Sequence, residues 1–355
     1  MTIQNHEYIK SQQATEEYEN SRKKIQKFLN AKSEKEIIFV RGATEGINLV
    51  AQAYGLNNFK KGDEIILSQM EHHSNIVPWQ LIRDKIGIKI NILPINNDGD
   101  INLNNFKKIL TNKTKLVSIL HVSNALGTIL PIKDLIDIAH KKKVPVLIDG
   151  CQSVPHMKVD VKNLDADFYC FSGHKIYGPT GIGILYCKNE FLKKMTPYQG
   201  GGEMISEVTF KKTTYQEPPH KYEAGTPNIV GSIALGTAID YISQVDINKI
   251  FKHEKNLLSY ATEKMKLFNE IQIIGTSKNK TGIISFIVKN IHPNDIGIIL
   301  DNHGIAVRTG HHCCQPLMKF YKIPATVRVS FGLYNSTNEV DYFVDALKNA
   351  INLLR

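Results

Sequence analysis

The sequence predicts an α/β protein in which an open, mainly parallel β-sheet is followed by a smaller α+β unit. Short, nearly continuous apolar runs recur through the first half of the chain, as expected of strands that are buried on both faces. Helical patterns separate several of these runs, and this alternation is typical of a parallel sheet covered by helices. After about residue 230 the pattern changes to long helices and further β-rich runs, which indicates a second unit.

Seven apolar runs in the first half of the chain are the candidate strands of the large sheet. Two clear helical patterns, "TEGINLVAQAYG" and "IKDLIDIAHKK", lie between them. The candidate strands are residues 37–40, 64–68, 89–95, 115–122, 144–150, 167–173 and 181–187.

The C-terminal unit is predicted from a different succession of elements. It begins near the long helix "IVGSIALGTAIDYIS", continues with an amphipathic stretch over residues 250–267, and closes with the helix "TNEVDYFVDALKNAINLLR". The β-rich runs "IQIIGT", "GIISFIV" and "TVRVSFGLY" lie between these helices. We therefore expect a large domain over residues 1–243 and a small α+β domain over residues 244–355, with the long helix near the hinge.

The composition argues against several classes of protein. Hydrophobic residues make up 42% of the 355 residues and charged residues 22%, as in ordinary globular proteins. No apolar run approaches the ~18–20 residues of a membrane span, and the polar N-terminus lacks the apolar core of a secretion signal, so we expect a cytoplasmic protein. The net charge of +10 comes from dispersed lysines rather than a basic stripe, which argues against nucleic acid as a partner. Five cysteines without a CxxC pair argue against a disulfide framework and a zinc site.

Polar residues follow five of the candidate strands at the point where each strand ends. In open α/β sheets, ligands bind at the carboxyl ends of the strands, so five such polar ends together indicate one shared site. The polar stretches are residues 41–46, 69–75, 121–128, 149–153 and 172–175.

The residue types at these strand ends favour one cofactor. Gly42, Ala43 and Thr44 open a helix after a strand, so their N–H groups suit a phosphate. Asp149 ends a strand, where it could bind a metal, accept a helix N-terminus or pair with a cationic ring nitrogen. Lys175 ends the next strand, and a lysine that forms an imine must be held near a carbonyl compound and partly desolvated. An acid partner for the ring nitrogen, an imine lysine and a phosphate site are what pyridoxal phosphate requires.

Four segments resemble a known family. "LIDGCQSVPH", "FYCFSGHKIYGPTGIGILY", "EAGTPN" and "VRTGHHCC" closely resemble the SufS-type, group II cysteine desulfurases, and the similarity extends from about Ser11 to the C-terminus. These are pyridoxal phosphate enzymes of the aminotransferase class V family with the fold type I scaffold. The resemblance implies a homodimer that converts L-cysteine to L-alanine. It also implies that a SufE- or SufU-like acceptor collects the sulfur for iron–sulfur cluster assembly.

The resemblance implies a role for each residue around the cofactor. Lys175 would form the Schiff base and shuttle protons, Asp149 would pair with the pyridinium nitrogen, and His72 would stack on the ring. Gln152 would hydrogen-bond the phenolic oxygen, while Thr226 would reach the phosphate from the partner subunit. The implied phosphate ligands within the same chain are Thr44, Ser172 and His174.

The resemblance also implies the substrate ligands and the nucleophile. Asn124 and Arg328 match the groups that hold the substrate carboxylate, and a guanidinium suits that task. Cys313 matches the nucleophile that carries the persulfide, and the two preceding histidines could favour its reactive thiolate form. Cys314 stands where the family usually carries alanine; it could be neutral, or it could form a trisulfide or disulfide side product. A vicinal pair bridges only with strain, so we expect both thiols to be reduced at rest.

One departure from the family leaves alternatives open. The resemblance implies a further N-terminal segment that ends in a His-Arg pair, whereas the corresponding stretch here reads "QNHEYIKSQQAT", so we expect a misplaced start, a gene fragment or a native loss of that segment. The alternatives to a cysteine desulfurase are a selenocysteine lyase on the same scaffold and a truncated, catalytically inactive scaffold. The intact Lys175, Asp149, Cys313 and Arg328 argue against an inactive chain.

Overall fold

The computed structural model describes residues 2–355, with side chains described from Lys10 onward. Within this part of the chain the backbone forms a seven-stranded sheet, a four-stranded sheet and a separate two-stranded hairpin. In the same residues no helix is both long and apolar enough to cross a membrane.

The large sheet confirms the predicted α/β class. Its strand order is β1-β7-β6-β5-β4-β2-β3. Strands β6, β5, β4, β2 and β3 pair in parallel, whereas β7 runs antiparallel to both of its neighbours, so the sheet is mainly parallel. All seven candidate strands are present as β1 (Ile37–Val40), β2 (Glu64–Ser68), β3 (Lys89–Leu93), β4 (Thr114–Leu120), β5 (Val146–Asp149), β6 (Phe168–Ser172) and β7 (Gly183–Cys187).

Helices pack on both faces of this sheet and form two hydrophobic cores. Strand β6 shows the division, because Phe168 and Cys170 lie in one core while Tyr169 and Phe171 lie in the other. This alternation follows from the two-residue period of a strand, and burial on both faces explains why the run is continuously apolar. The helices are α1 (Thr2–Leu29), α2 (Ala43–Leu49), α3 (Leu56–Asn58), α4 (Val77–Ile86), α5 (Leu103–Ile109), α6 (Ile132–Lys141), α7 (Val161–Leu164), α8 (Asn189–Lys194) and α9 (Ile229–Val245).

Two features of this half differ from the sequence prediction. The helix expected over "TEGINLVAQAYG" changes to a π-helical stretch, Val50–Gly55, between α2 and α3. The hairpin of β8 (Ile205–Val208) and β9 (Thr213–Tyr215) was not predicted, because its strands are short and lack an apolar run. Phe210 lies in the turn of this hairpin with its side chain fully exposed.

The C-terminal unit is α+β, as predicted, with a core of its own. Its antiparallel sheet has the order β10-β11-β13-β12. The last helix begins with a capping box of Ser336 and Glu339, which satisfies its first amides. We propose that the domain boundary lies at residue 244, in the last turn of α9. The elements are α10 (Ile247–Met265), β10 (Ile271–Ile274), β11 (Ile283–Val288), α11 (Pro293–Asn302), β12 (Arg308–Gly310), α12 (Gln315–Tyr321), β13 (Thr326–Ser330) and α13 (Thr337–Leu353).

Candidate active site

A cavity of about 170 Å³ lies where the large sheet ends and the small sheet begins. Polar side chains from the ends of β1, β2, β4, β5 and β6 meet there, as the rule for open α/β sheets predicts. Arg308 and Arg328, from the small sheet, close the other side. The cavity brings together these residues of the predicted site: Thr44, His72, Asn124, Asp149, Gln152, Ser172, His174, Lys175 and Arg328.

Lys175 and Asp149 stand at the ends of neighbouring parallel strands. Burial lowers the pKa of the Lys175 amine, while Cys151 and Asp149 act in the opposite direction. A lysine with a lowered pKa loses its proton more readily, and the neutral amine is the form that condenses with a carbonyl group. Burial raises the pKa of Asp149, whose Oδ1 accepts a hydrogen bond from the Cys151 amide at 3.0 Å. A buried carboxyl group of this kind favours a cationic partner such as a pyridinium nitrogen.

His72 faces the cavity from the segment after β2. Its Nδ1 accepts the Ser74 amide at 3.1 Å and lies 2.7 Å from Ser74 Oγ, so the neutral ring carries its proton on Nε2. Burial lowers the pKa of His72 to about 4, with further contributions from His73 and Lys175. The imidazole is therefore neutral near pH 7, and a neutral ring can lie against an aromatic cofactor.

The predicted phosphate end of the cavity is closely packed. The Ala43 amide donates to Ser172 Oγ at 2.9 Å, so this N–H group is not available to a phosphate. The Ser172 hydroxyl retains its own proton for a second contact, and Thr44 and His174 line the same region. A Cβ atom on Gly183 would lie 2.5 Å from Gly42 Cα, which explains why glycine is needed where β7 passes the start of α2.

The two arginines form a cationic wall opposite Lys175. Arg328 Nη1 donates to the Asn124 carbonyl oxygen at 2.8 Å, and Arg328 Nε is buried without a hydrogen-bond partner among the described residues. Burial lowers the pKa of Arg328 to about 10, and the charge of Arg308 contributes next. A buried guanidinium with a free donor edge fits an anionic ligand such as a carboxylate. Arg308 was not among the predicted site residues, although it lies in the quoted "VRTGHHCC" segment.

Cys313 lies on a tight loop beside this wall. His312 and Cys313 both adopt left-handed backbone conformations, with φ of 53° and 58°. The Cys313 carbonyl oxygen accepts the His73 amide at 2.8 Å, which ties the loop to the segment that carries His72. Arg308 Nη2 lies 3.5 Å from Cys313 Sγ, so the cavity-lining guanidinium contacts the thiol directly. Cys313 itself does not line the cavity.

Of the two histidines before Cys313, His312 does not act on the thiol as expected. His312 is buried and its Nε2 lies 2.7 Å from Thr326 Oγ1, and burial lowers its pKa to about 3. His311 Nδ1 accepts the Cys313 amide at 3.2 Å. A neutral His312 cannot stabilise a thiolate by charge, so the expectation for this residue is wrong. The cation beside the thiol is Arg308.

Cys314 differs from Cys313 in its burial and in its contacts. Its side chain is fully buried, and its thiol donates to Asn124 Oδ1 at 3.2 Å. Burial raises the pKa of Cys314 to about 12, so this thiol stays protonated at neutral pH. All five cysteines are free thiols in the structure.

Thr226 lies outside this cavity. It lines a separate groove together with Tyr18, Arg41, Tyr198 and Glu223. The prediction that Thr226 serves the site of a partner subunit therefore stays a prediction.

The cavity fits pyridoxal phosphate. The residues in place are a buried acid, a desolvated lysine on the neighbouring strand, hydroxyl groups at one end and an arginine with an unused donor edge at the other. The metal alternative for Asp149 finds no support in the described part of the chain, where no group of three His, Cys, Asp or Glu residues could hold a metal ion.

Comparisons with known proteins identify the family to which the chain belongs. Residues 3–343 match the family described as aminotransferase class-V. A cysteine desulfurase of Escherichia coli O8 (strain IAI1) is 48% identical over 345 residues, which cover 97% of this chain and 85% of that protein. Two solved structures each have a TM-score of 0.94. The Escherichia coli cysteine desulfurase CsdA, in an S-sulfonic acid form, is 37% identical, with 98% of this chain and 87% of that chain covered. The apo cysteine desulfurase of Thermococcus onnurineus NA1 is 40% identical, with 97% and 86% covered.

Proposed function

The chain belongs to the aminotransferase class-V family, and we propose that it is a pyridoxal phosphate-dependent cysteine desulfurase that leaves the substrate sulfur on Cys313. The three relatives described above, which match nearly the whole chain, carry the name cysteine desulfurase, and the cavity holds the residue types that this cofactor needs. The single observation that carries the assignment of Cys313 is its contact with Arg308, which lines the same cavity as Lys175.

The residues around Lys175 would hold the cofactor. Lys175 would bind its carbonyl carbon, Asp149 would pair with the ring nitrogen and His72 would stack on the ring. When bound, pyridoxal phosphate supplies an electron sink that stabilises negative charge on the carbon skeleton of an amino acid. Gln152 would contact the phenolic oxygen, and Thr44, Ser172 and His174 would bind the phosphate, with Thr226 contributed by the second subunit of a homodimer.

Arg328 and Asn124 form the substrate end of the cavity, and Cys313 lies beside it, in contact with Arg308. The free edge of the Arg328 guanidinium and the Asn124 amide bind the carboxylate of L-cysteine. Cys313 sulfur then forms a bond to the substrate sulfur as the substrate C–S bond breaks. The electron pair of that bond stays on carbon, which takes up the proton given up by Cys313, so that the products are L-alanine and a Cys313 persulfide. Lys175 and His72 are the groups placed to move protons in the cavity.

We further propose a role of the SufS type, in group II of these enzymes. A SufE- or SufU-like protein would collect the sulfur in the cytoplasm for iron–sulfur cluster assembly. Transfer to such an acceptor is fast only when its thiol is ionised and can reach the persulfide, so basal turnover should be slow. Selenocysteine lyase and an inactive scaffold have no specific observation in their favour, and the assembled cavity argues against the second.

Single-turnover and burst measurements test this proposal. L-Alanine should form in a burst of about one per active site, followed by a slow phase that a persulfide acceptor accelerates, because the covalent intermediate must be cleared. Cys313→Ser should keep the cofactor, judged by its visible absorption, and lose the burst. Cys187→Ser is the matched control, since Cys187 is buried in β7 and lies outside the cavity. A linear trace that no thiol changes would contradict the relay.

A further inference from the structure

Cys314 follows the proposed nucleophile in the chain, but its contacts differ and indicate a role other than that of a nucleophile. The Cys314 side chain has no exposed surface, and Sγ lies 3.2 Å from Asn124 Oδ1 and 3.5 Å from the His312 carbonyl oxygen. Among the described residues these are the two acceptors within reach of its S–H group. The thiol is therefore directed into the protein, towards the residue that the proposed function assigns to the substrate carboxylate.

The Asn124 side chain is held at both ends. Its Oδ1 accepts the Cys314 thiol, and its Nδ2 donates to the His312 carbonyl oxygen at 2.7 Å. Rotation of the amide by half a turn would place Oδ1 against that carbonyl oxygen and the NH₂ group against the thiol, so both contacts favour one orientation. Nδ2 carries a second proton, and Asn124 lines the cavity.

The loop that carries Cys313 needs such contacts. Left-handed conformations at two successive non-glycine residues, His312 and Cys313, are strained and persist only where the surroundings hold them. Asn124 Nδ2 holds the His312 carbonyl, while Thr326 and His73 hold the His312 ring and the Cys313 carbonyl. Asn124 is thus the contact between this loop and the end of β4.

We propose that Cys314 is a positioning residue, whose thiol fixes the Asn124 amide so that its NH₂ group serves both the Cys313 loop and the substrate carboxylate. The inference rests on the proposed function, in which Asn124 binds that carboxylate. A carboxylate accepts hydrogen bonds and cannot donate them, so only this orientation of the amide is useful. Alanine at this position would fill the space without supplying the donor.

The same contacts argue against Cys314 as the thiol that forms a disulfide side product with Cys313. To release the persulfide, Cys314 sulfur would have to attack the inner sulfur of Cys313, which would form a disulfide and expel hydrogen sulfide. That step requires an ionised thiol that can reach its target. Cys314 is buried and directed towards Asn124 instead.

The test compares Cys314→Ala with Cys314→Ser in the holoenzyme, with Cys187→Ala as the control for loss of a buried thiol elsewhere. Serine keeps a donor, whereas alanine does not. We expect Cys314→Ala to raise KM for L-cysteine about 3- to 10-fold, which corresponds to the loss of one neutral hydrogen bond. The kcat should change less than about twofold. Cys314→Ser should stay within about twofold of the wild type. Binding of cysteamine, which lacks the carboxylate, should be unchanged in all variants.

A double-mutant cycle with Asn124→Ala separates the inference from the proposed function. Asn124→Ala should raise KM for L-cysteine, and adding Cys314→Ala should then have no further effect. Equal KM values for Cys314→Ala and Cys314→Ser, or an unchanged KM for Cys314→Ala, would overturn the positioning role alone. An unchanged KM for Asn124→Ala would overturn the assignment of Asn124 to the substrate carboxylate, and the inference with it.

Chemical labelling supplies a readout that does not depend on turnover. Iodoacetamide should modify Cys313 and spare Cys314 in the native holoenzyme, as measured by mass spectrometry of the peptides. Equal labelling of the two thiols would show that Cys314 is not held against Asn124, and would overturn the inference.

Discussion

Replacing Arg328 with lysine tests the substrate end of the cavity most sharply. Arg328 Nη1 is occupied by the Asn124 carbonyl oxygen, whereas Nε is buried and unpartnered among the described residues, so the edge formed by Nε and Nη2 is available for two parallel bonds to a carboxylate. Lysine keeps the positive charge but has no such edge. A hydrogen bond to a charged group contributes about 1.5–3 kcal/mol, and loss of one bond predicts a fall in kcat/KM of about 10- to 150-fold.

The assay is steady-state alanine production from L-cysteine at saturating cofactor. Arg328→Lys should keep the visible absorption of the cofactor, because Arg328 belongs to the substrate end and not to the phosphate end. Arg83→Lys is the control, since Arg83 is exposed and pairs with Asp84 on the surface. If Arg328→Lys keeps kcat/KM within about threefold of the wild type, Arg328 does not bind the carboxylate.

Two further predictions concern the support of the site. Burial raises the pKa of Glu71 to about 8, although hydrogen bonds from Ser68 and Asn75 oppose this. The Glu71 carboxyl group therefore keeps its proton in the folded state up to about pH 8, whereas in the unfolded state it loses the proton above about pH 4.5. Its contribution to the free energy of unfolding falls on the order of 1.4 kcal/mol per pH unit from about pH 5 to 8. In urea unfolding, the free energy of unfolding should decrease less between pH 5.5 and pH 7.5 for Glu71→Gln than for the wild type. Identical decreases in the two proteins would refute the argument. Gly183→Ala places a Cβ 2.5 Å from Gly42 Cα and 2.6 Å from the Phe171 oxygen, so it should cost about 1–3 kcal/mol of stability and weaken cofactor binding. Unchanged urea midpoint and unchanged cofactor affinity would show that the two backbones can separate freely.

The large sheet and its site were predictable because strand patterns are local. Buried strands read as continuous apolar runs, and the carboxyl ends of parallel strands meet at one edge, so Asp149 and Lys175 could be placed together from the sequence. The resemblance to a family supplied the finer roles. The hairpin of β8 and β9 was missed because its short strands lack an apolar run, and β12 was missed because it has three residues.

The contacts around Cys313 could not be predicted from the sequence. The orientation of the two histidines depends on the left-handed turn at His312 and Cys313. In this turn the His312 ring lies against Thr326 and not against the Cys313 thiol. The hydrogen bond between Cys314 and Asn124 joins residues far apart in the chain, and no spacing rule indicates it. The role of Arg308 could not be predicted either, because it follows from the distance of 3.5 Å between Arg308 Nη2 and Cys313 Sγ, which only the structure provides.

The most direct test of the central claim is to locate the sulfur after one turnover. The holoenzyme should be mixed with one equivalent of L-cysteine in the absence of any other thiol, alkylated under denaturing conditions, and analysed by peptide mass spectrometry alongside an alanine assay. We predict one extra sulfur on Cys313 and an equal amount of L-alanine, with Cys314 recovered as an unmodified thiol. Alanine formed in full while the extra sulfur lies on Cys314, or on neither residue, would contradict the account.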